Sequence, residues 1–241
     1  MALIVQKFGG SSVCSTERLF AAADIITKKY SEGNNVIVVV SAQGKTTDEL
    51  IKKARKINKQ GSGREMDVLL STGEQISVAL LAMAIQKLGF PAVSLLGWQA
   101  GFKTDSNYGS AKIKKLLAIR IMQEIKKNNI AVIAGFQGVN DAGDITTFER
   151  GGSDISAVAI AAVVNAAVCQ IYTDVDGVYD SNPKFSSNAR KYTSISYENM
   201  LKLASSGAKV LNCKSVEMAK RHNVKLEVLS SFEDLPGTII E

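Results

Sequence analysis

Apolar runs and segments of helical periodicity alternate along the chain. The run at 36–40 is apolar at every position, which is typical of parallel strands covered on both faces. Glycine, asparagine or proline follows several of the helical segments. The pattern predicts strands over 3–7, 35–41, 92–96, 130–134 and 168–173, and helices over about 15–30, 46–58, 73–88, 110–128 and 153–165. This order indicates an α/β fold with a central, mostly parallel sheet.

Small and polar residues directly follow four of the predicted strands. The segments lie at 8–12, 41–48, 135–138 and 174–179. Ligands of parallel sheets gather at the carboxyl ends of the strands, so the four segments together predict one binding site. Each segment alone also has a local explanation. The stretch at 46–49 resembles a helix cap, and Asp176-Gly177 is an ordinary turn signal.

Two of these regions are glycine-rich and are predicted to hold phosphate. They are Lys7-Phe8-Gly9-Gly10-Ser11-Ser12 and Arg150-Gly151-Gly152-Ser153-Asp154. Glycine lets the backbone approach an anion, and the free amides of a helix start point toward it. Neither a Walker A loop nor a G-x-G-x-x-G pattern is present. The alternative to phosphate binding is that these glycines only form turns. Two cradles in one chain indicate that a phosphate is transferred.

Composition excludes several classes of chemistry. The chain of 241 residues has one histidine, His222, in a polar helix end, which argues against Ser-His-Asp or Cys-His catalysis and against histidine-ligated zinc. Its three cysteines lack metal-ligand spacing and are expected to be reduced. The net charge of +6 comes largely from lysine pairs along helices, so no nucleic-acid partner is predicted. No targeting or membrane segment is visible, and we expect a cytoplasmic protein.

Several motifs, in order and over nearly the whole chain, resemble aspartate kinase. Besides the two glycine-rich segments they are Lys45-Thr46-Thr47-Asp48, Ser71-Thr72-Gly73-Glu74, Gly135-Phe136-Gln137-Gly138, the segment from Tyr172 to Tyr179, Gly207-Ala208-Lys209 and Ser230-Ser231-Phe232. The resemblance implies the amino acid kinase fold, a three-layer α/β/α sandwich with an open sheet of about eight strands. It further implies one domain over 1–241, with the nucleotide site in the part from about 140 onward.

The resemblance implies that ATP with Mg²⁺ phosphorylates the β-carboxylate of L-aspartate. The implied catalytic residues are Lys7, Asp154 and Lys209, and the implied phosphate-binding residues are Gly9, Gly10, Ser11, Gly151 and Gly152. The implied aspartate contacts are Ser41, Thr47, Glu74, Phe136, Arg150 and Ser153. The implied nucleotide contacts are Thr173, Asp174, Tyr179, Lys184 and Lys209. No residue is assigned as a metal ligand. Because the acceptor carboxylate is already ionised near pH 7, no general base is required.

The chain departs from the family pattern at three places. Glu149 stands where the family usually has glycine, and an acid there is expected to compete for the guanidinium of Arg150. Asn212-Cys213-Lys214 replaces a common His-Pro-Arg, and Gln43 replaces a common methionine. These changes keep two alternatives open. One is a kinase of this fold that acts on another small acid, and the other is a nucleotide-binding regulatory pseudo-kinase.

The sequence given ends at Glu241, without the ACT modules that usually follow in aspartate kinases. Two explanations are open: a piece of a longer enzyme, or a free-standing catalytic domain regulated by a separate subunit. Since the catalytic domains of the family pair, we predict a homodimer, with the segment around 60–110 as one contact.

Overall fold

Strands and helices alternate over most of the computed structural model, which describes residues 2–181, 188–205 and 210–241. The strands are β1 (Leu3–Phe8), β2 (Asn35–Val40), β3 (Ala92–Leu95), β4 (Phe102–Thr104), β5 (Ile113–Leu116), β6 (Ile130–Ala134), β7 (Gln137–Val139), β8 (Ile145–Thr147), β9 (Val168–Thr173), β10 (Ser194–Ile195), β11 (Leu226–Ser230) and β12 (Thr238–Ile240). The helices are α1 (Thr16–Ser31), α2 (Thr46–Ile57), α3 (Gly63–Lys87), α4 (Ile119–Lys126), α5 (Gly152–Val163), α6 (Tyr197–Ser205) and α7 (Cys213–His222), and a short 3-10 helix spans Gly10–Val13.

Eight strands form the main sheet in the order β10-β12-β11-β9-β1-β2-β6-β3. All neighbours are parallel except β11 and β12. Strand β1 lies between β2 and β9, and Lys7 is in register with Val39 and Ile171. The loops that follow β1, β2, β6 and β9 therefore leave the same edge of the sheet, as the polar segments in the sequence predict.

Helices cover both faces of this sheet. In β2, Val36, Val38 and Val40 face a core layer that includes residues of α1 and α3, whereas Ile37 and Val39 face a layer that includes residues of α4, α5 and α7. All five side chains are fully buried. The continuous apolar run is thus explained by burial on both sides, and the predicted three-layer α/β/α sandwich with eight strands is confirmed.

A second sheet, in the order β5-β4-β7-β8, was not predicted, and the helix predicted over 110–128 is wrong in its first half. Residues 113–116 form β5, antiparallel to β4, and the helix there begins only at Ile119. Ile113 and Leu116 have helical spacing, but Leu116 pairs with Phe102 across the strands. This long-range pairing overrides the local periodicity.

Helix α3 begins at Gly63 instead of the predicted 73. The glycines at 61 and 63 are typical of a loop. Ser62 between them, however, caps the helix by accepting a hydrogen bond from the Glu65 amide at 3.4 Å. Helix α3 has the length and apolar composition of a membrane span, yet 56% of its most apolar window is buried inside the protein. Buried core helices of soluble proteins can have the same length and apolar composition.

Candidate active site

A cavity of about 590 Å³ lies where β1 and β2 end and α5 begins. Most of the residues predicted for phosphate and acceptor binding line it. They are Lys7, Gly10, Ser41, Thr47, Glu74, Phe136, Arg150, Gly151, Gly152, Ser153 and Asp154. Segments up to 147 residues apart in sequence therefore meet at one cavity. Gly9 and Ser11 belong to the same loop as Gly10 but do not line this cavity.

Lys7 and Asp154 form an ion pair at the inner end of the site. The Lys7 ammonium lies 2.7 Å from Asp154 Oδ1, and the two side chains are only 12% and 11% exposed. Lys7 projects from β1 and Asp154 from the first turn of α5, so the pair joins the central strand to the helix start. Attraction between charges is strong where water is largely excluded. The ammonium is therefore held in place beside the glycine-rich loop.

The loop after β1 packs closely on the loop after β2. The amide of Gly44 donates to the carbonyl of Gly10 at 3.0 Å, and a Cβ on Gly10 would lie 2.7 Å from the carbonyl oxygen of Ala42. Only glycine fits at position 10 without a shift of the backbone. The amide of Gly9 donates to the Tyr172 carbonyl at 3.2 Å, so this amide is already engaged.

The second glycine-rich segment forms the start of α5. Gly151 is the N-cap residue and has a left-handed backbone with φ of +82°. A Cβ on Gly152 would lie 2.6 Å from Phe148 Cβ, so this position also requires glycine. The positive dipole end of α5 lies at the cavity, and Lys7 and Asp154 lie beside it. This arrangement suits an anion such as a phosphoryl group.

Glu74 is a buried carboxylate with one satisfied oxygen. It lies on α3, is 3% exposed, and its Oε1 accepts a hydrogen bond from the Ala42 amide at 2.9 Å. Its Oε2 is buried and has no hydrogen-bond partner in the part of the chain that the structure describes. Burial raises the pKa of Glu74 to about 7, against the lowering effect of the Ala42 hydrogen bond. A cationic group in the cavity would satisfy the second oxygen.

Arg150 lies at the mouth of the cavity and is 86% exposed. Its Nη2 lies 2.8 Å from Asp48 Oδ1 on α2, so the pair bridges the two sides of the mouth. Glu149 does not compete for Arg150, contrary to the expectation from sequence. It accepts a hydrogen bond from Lys214 at 2.6 Å, on the side of α7. The competing carboxylate is that of Asp48, which the sequence did not single out.

Ser41 and Thr47 enter the cavity from the chain that follows β2. The Ser41 amide continues the sheet pairing by donating to the Phe8 carbonyl at 3.1 Å. Thr47 lies in the first turn of α2, whose N-cap residue is Lys45 with no side-chain capping bond. The capping explanation for 46–49 is therefore wrong, and both hydroxyl side chains are on residues that line the cavity.

Asp67 is a cavity residue that sequence reasoning missed. It is fully buried, and its carboxylate accepts hydrogen bonds from the amides of Gly109 and Thr147 and from the Thr147 hydroxyl. Burial raises its pKa, and these three hydrogen bonds oppose the rise. Asp67 lies seven residues before Glu74 on α3, which is two helical turns. If the sequence is read as helical from residue 63 onward, this spacing places the two acids on one face of the helix.

Three of the predicted nucleotide residues, Thr173, Asp174 and Tyr179, do not line this cavity. Thr173 ends β9, and its hydroxyl donates to the Asp174 carboxylate at 3.1 Å. The Tyr179 hydroxyl donates to Asp176 at 2.9 Å, and the Lys191 ammonium donates to the same carboxylate at 3.0 Å. These residues lie at or after the end of β9, at the edge of the sheet where β1 ends with Phe8, the residue after Lys7. The predictions for Lys184 and Lys209 fall on residues outside the described ranges.

The chain matches the amino acid kinase family over residues 2–230. It is 51% identical, over its whole length, to the aspartokinase of Geobacillus stearothermophilus, and spans 59% of that protein. The crystal structure of aspartate kinase from Synechocystis superposes with a TM-score of 0.88 at 43% identity, covering 99% of this chain and 39% of the other. The structure of E. coli aspartokinase III in complex with aspartate and ADP also has a TM-score of 0.88, at 24% identity, covering 99% and 64%. The family match, which covers nearly the whole chain, and the shared fold show that this chain belongs to the amino acid kinase family.

Proposed function

We propose that this chain is the catalytic part of an aspartate kinase, which transfers the γ-phosphoryl group of ATP to the β-carboxylate of L-aspartate. The observation that carries the proposal is one cavity that holds both a fixed ammonium, Lys7, and an unsatisfied carboxylate, Glu74. The first suits a phosphoryl group and the second an amino group. Identity of 51% to an aspartokinase supports the same acceptor.

In the transfer, an oxygen of the aspartate carboxylate attacks the γ-phosphorus, and the bond from phosphorus to the bridging oxygen of ADP breaks. The acceptor is already an anion near pH 7, so no proton has to be removed. Catalysis then depends on alignment and on neutralising charge at the phosphoryl oxygens. The Lys7 ammonium, held by Asp154, and the positive dipole end of α5 supply that charge.

Aspartate recognition requires groups for its α-ammonium and α-carboxylate. Glu74 Oε2 would accept the ammonium, which would satisfy the oxygen that lacks a partner. Arg150 would bind the α-carboxylate, in place of the Asp48 carboxylate that it contacts in this structure. Ser41, Thr47, Phe136 and Ser153 line the same cavity and complete the proposed acceptor site.

We place the nucleotide in the part of the chain after about 140, against Thr173, Asp174 and Tyr179, with Lys184 and Lys209 as further contacts. ATP would bring Mg²⁺, which neutralises the β- and γ-phosphates. Mg²⁺ in kinases is held largely by phosphate and water, with few protein carboxylates. We also propose a cytoplasmic homodimer.

Hydroxylamine trapping tests the activity, because an acyl phosphate reacts with hydroxylamine to release phosphate and form a hydroxamate, which is detected as its coloured iron(III) complex. We expect product with MgATP and L-aspartate, and none with L-glutamate or without an acceptor. Product with glutamate instead of aspartate would favour a kinase for another acid, and nucleotide binding without any product would favour the pseudo-kinase.

Variants of Lys7 connect this activity to the cavity. Lys7→Met should abolish hydroxamate formation, whereas Lys28→Met should retain it, since Lys28 is an exposed lysine that pairs with Asp234. Lys7→Met leaves Asp154 buried and unpaired, so the double variant K7M/D154N serves as a folded control. Full activity of that double variant would refute the role of Lys7.

A further inference from the structure

The Asn212 side chain joins the start of α7 to the loop that carries Arg150. Its Nδ2 donates a hydrogen bond to the carbonyl oxygen of Arg150 at 2.8 Å. Its Oδ1 accepts from the amide of Lys214 at 2.9 Å, which makes Asn212 the N-cap of α7. One amide group thus bonds two chain segments that are 62 residues apart.

Gly151 leaves the space that this contact needs. A Cβ at Gly151 would collide with the side-chain amide of Asn212. The left-handed backbone of Gly151, at φ of +82°, also favours glycine over any residue with a side chain. The turn from Arg150 into α5 is therefore shaped around Asn212.

A second contact joins the same segments. Lys214, two residues into α7, donates to Glu149 at 2.6 Å. Both side chains are substantially exposed, so this ion pair contributes little stability by itself. It does keep Glu149 turned away from Arg150, toward α7. The two unusual features of this chain, an acid at 149 and Asn-Cys-Lys at 212–214, are therefore in contact with each other.

We propose that Asn212 is a positioning residue for acceptor binding, acting through the backbone of Arg150 and the start of α5. The Arg150 side chain is 86% exposed and has little packing to hold it, so its position at the cavity mouth depends on its backbone. Asn212 fixes that backbone at the carbonyl, and the next two residues, Gly151 and Gly152, form the anion cradle. This inference rests on the proposed function for its substrate, but the contact itself does not.

Two substitutions remove the donor and keep the helix cap. Asn212→Asp has the same shape and places an oxygen against the Arg150 carbonyl, and Asn212→Ser is uncharged and too short to reach it. Both retain an oxygen that can cap α7. Asn199→Asp, on an exposed residue of α6, is the matched control for the added charge. All three variants should melt within about 3 °C of the wild type.

In the hydroxamate assay we expect both Asn212 variants to raise the KM for aspartate about tenfold, which corresponds to the loss of one hydrogen bond. The kcat and the KM for ATP should change less than about twofold. Asn199→Asp should match the wild type. Unchanged KM in both variants, or an effect of Asn212→Asp alone, would overturn the proposal. A merely structural role would instead lower the melting temperature and kcat together.

Amide hydrogen exchange tests the contact without catalysis. The amides of Gly152 and Asp154 are hydrogen-bonded within the turn, to the carbonyls of Glu149 and Gly151. We expect both to exchange faster in the two Asn212 variants and unchanged in Asn199→Asp. If the wild type forms no hydroxamate with aspartate, the proposed function fails, but the exchange experiment still tests the role of Asn212. Unchanged protection of the two amides would overturn that role, and faster exchange would support it.

Discussion

Asp154 and Glu74 are both buried carboxylates of the cavity, but their surroundings differ. Asp154 has a cation, Lys7, at 2.7 Å, so its charge is compensated within the protein. Glu74 has only the Ala42 amide on one oxygen, and its pKa is raised to about 7. A buried charge without a partner is costly, and a ligand that supplies a cation recovers that cost. Ligand binding and ionisation are therefore linked at Glu74.

The KM for aspartate should therefore depend on pH in a way that Glu74→Gln abolishes. The α-ammonium binds the ionised carboxylate, which is the minor form below pH 7, so the KM should rise as pH falls from 8 to 6. In Glu74→Gln the KM should be higher and flat over this range, while Gln retains an acceptor for the Ala42 amide. Kinetics of both proteins from pH 6 to 8.5 measure this. A sloping KM in Glu74→Gln would assign the titration to another group.

The raised pKa of Glu74 also makes the stability of the protein without ligand depend on pH. Glu74 in the unfolded chain ionises near 4.5, and in the folded protein near 7. Between these values the folded state holds the extra proton, so the free energy of unfolding falls as pH rises through this window. Urea unfolding at pH 5 and pH 8 should therefore show Glu74→Gln gaining stability relative to the wild type at the higher pH.

Asp48 occupies one nitrogen of Arg150 at the cavity mouth, and Asp48→Asn should lower the KM for aspartate. The variant removes a competing carboxylate and a negative charge near an anionic substrate. Exposed ion pairs contribute about 1 kcal/mol or less, so we expect a change of no more than about fivefold. Steady-state kinetics at low and high salt check it, because screening should reduce the difference. A raised KM would show that Asp48 orients Arg150 instead of competing for it.

At the scale of elements, five strands of the main sheet were predicted, because burial on both faces makes them apolar runs, as in β2. The other three, β10, β11 and β12, were not predicted: β10 and β12 have only two and three residues, and Glu227 interrupts the apolar run of β11. The second sheet was not predicted either, because its strands have three or four residues and pair over long distances, as β4 does with β7. In the candidate site, too, local features could be predicted and long-range contacts could not. The glycine-rich loops and Glu74 lie in local motifs, whereas the roles of Asp48 and Asp67 depend on partners 102 and 80 residues away.

The junction of β6 and α5 gives a prediction at this scale. A Cβ on Gly135 would lie 2.7 Å from Ser153 Oγ and 3.0 Å from Ser153 Cα, so Gly135→Ala must displace the start of α5. Overpacking of this kind costs about 1–3 kcal/mol. Gly61→Ala is the matched control, since its Cβ would meet only the Asn58 carbonyl oxygen, at 3.6 Å. Urea unfolding and kcat measure the two effects, and equal stability of both variants would contradict the close contact.

At the scale of the whole molecule, α3 has two faces of different character. One face holds Asp67 and Glu74 in the cavity. The other exposes Ile76, Leu80 and Met83, which are 51%, 38% and 61% exposed and lie on one stripe of the helix. Residues 75–86 include no charged side chain. Leu80 and Met83 also border a groove of about 450 Å³ with Leu19 and Phe20 of α1.

This apolar stripe supports the proposed homodimer, because two copies of a charge-free helix face can pack against each other about a two-fold axis. Met83→Lys would place two ammonium groups at such a contact and should shift the protein to monomer, measured by sedimentation or light scattering at micromolar concentration. Ile57→Lys, on α2, changes the most exposed large apolar residue described and should leave the mass unchanged. Because the same helix holds Glu74, the Met83→Lys monomer should also have a higher KM for aspartate. A wild-type monomer, or a Met83→Lys dimer, would exclude this stripe as the interface.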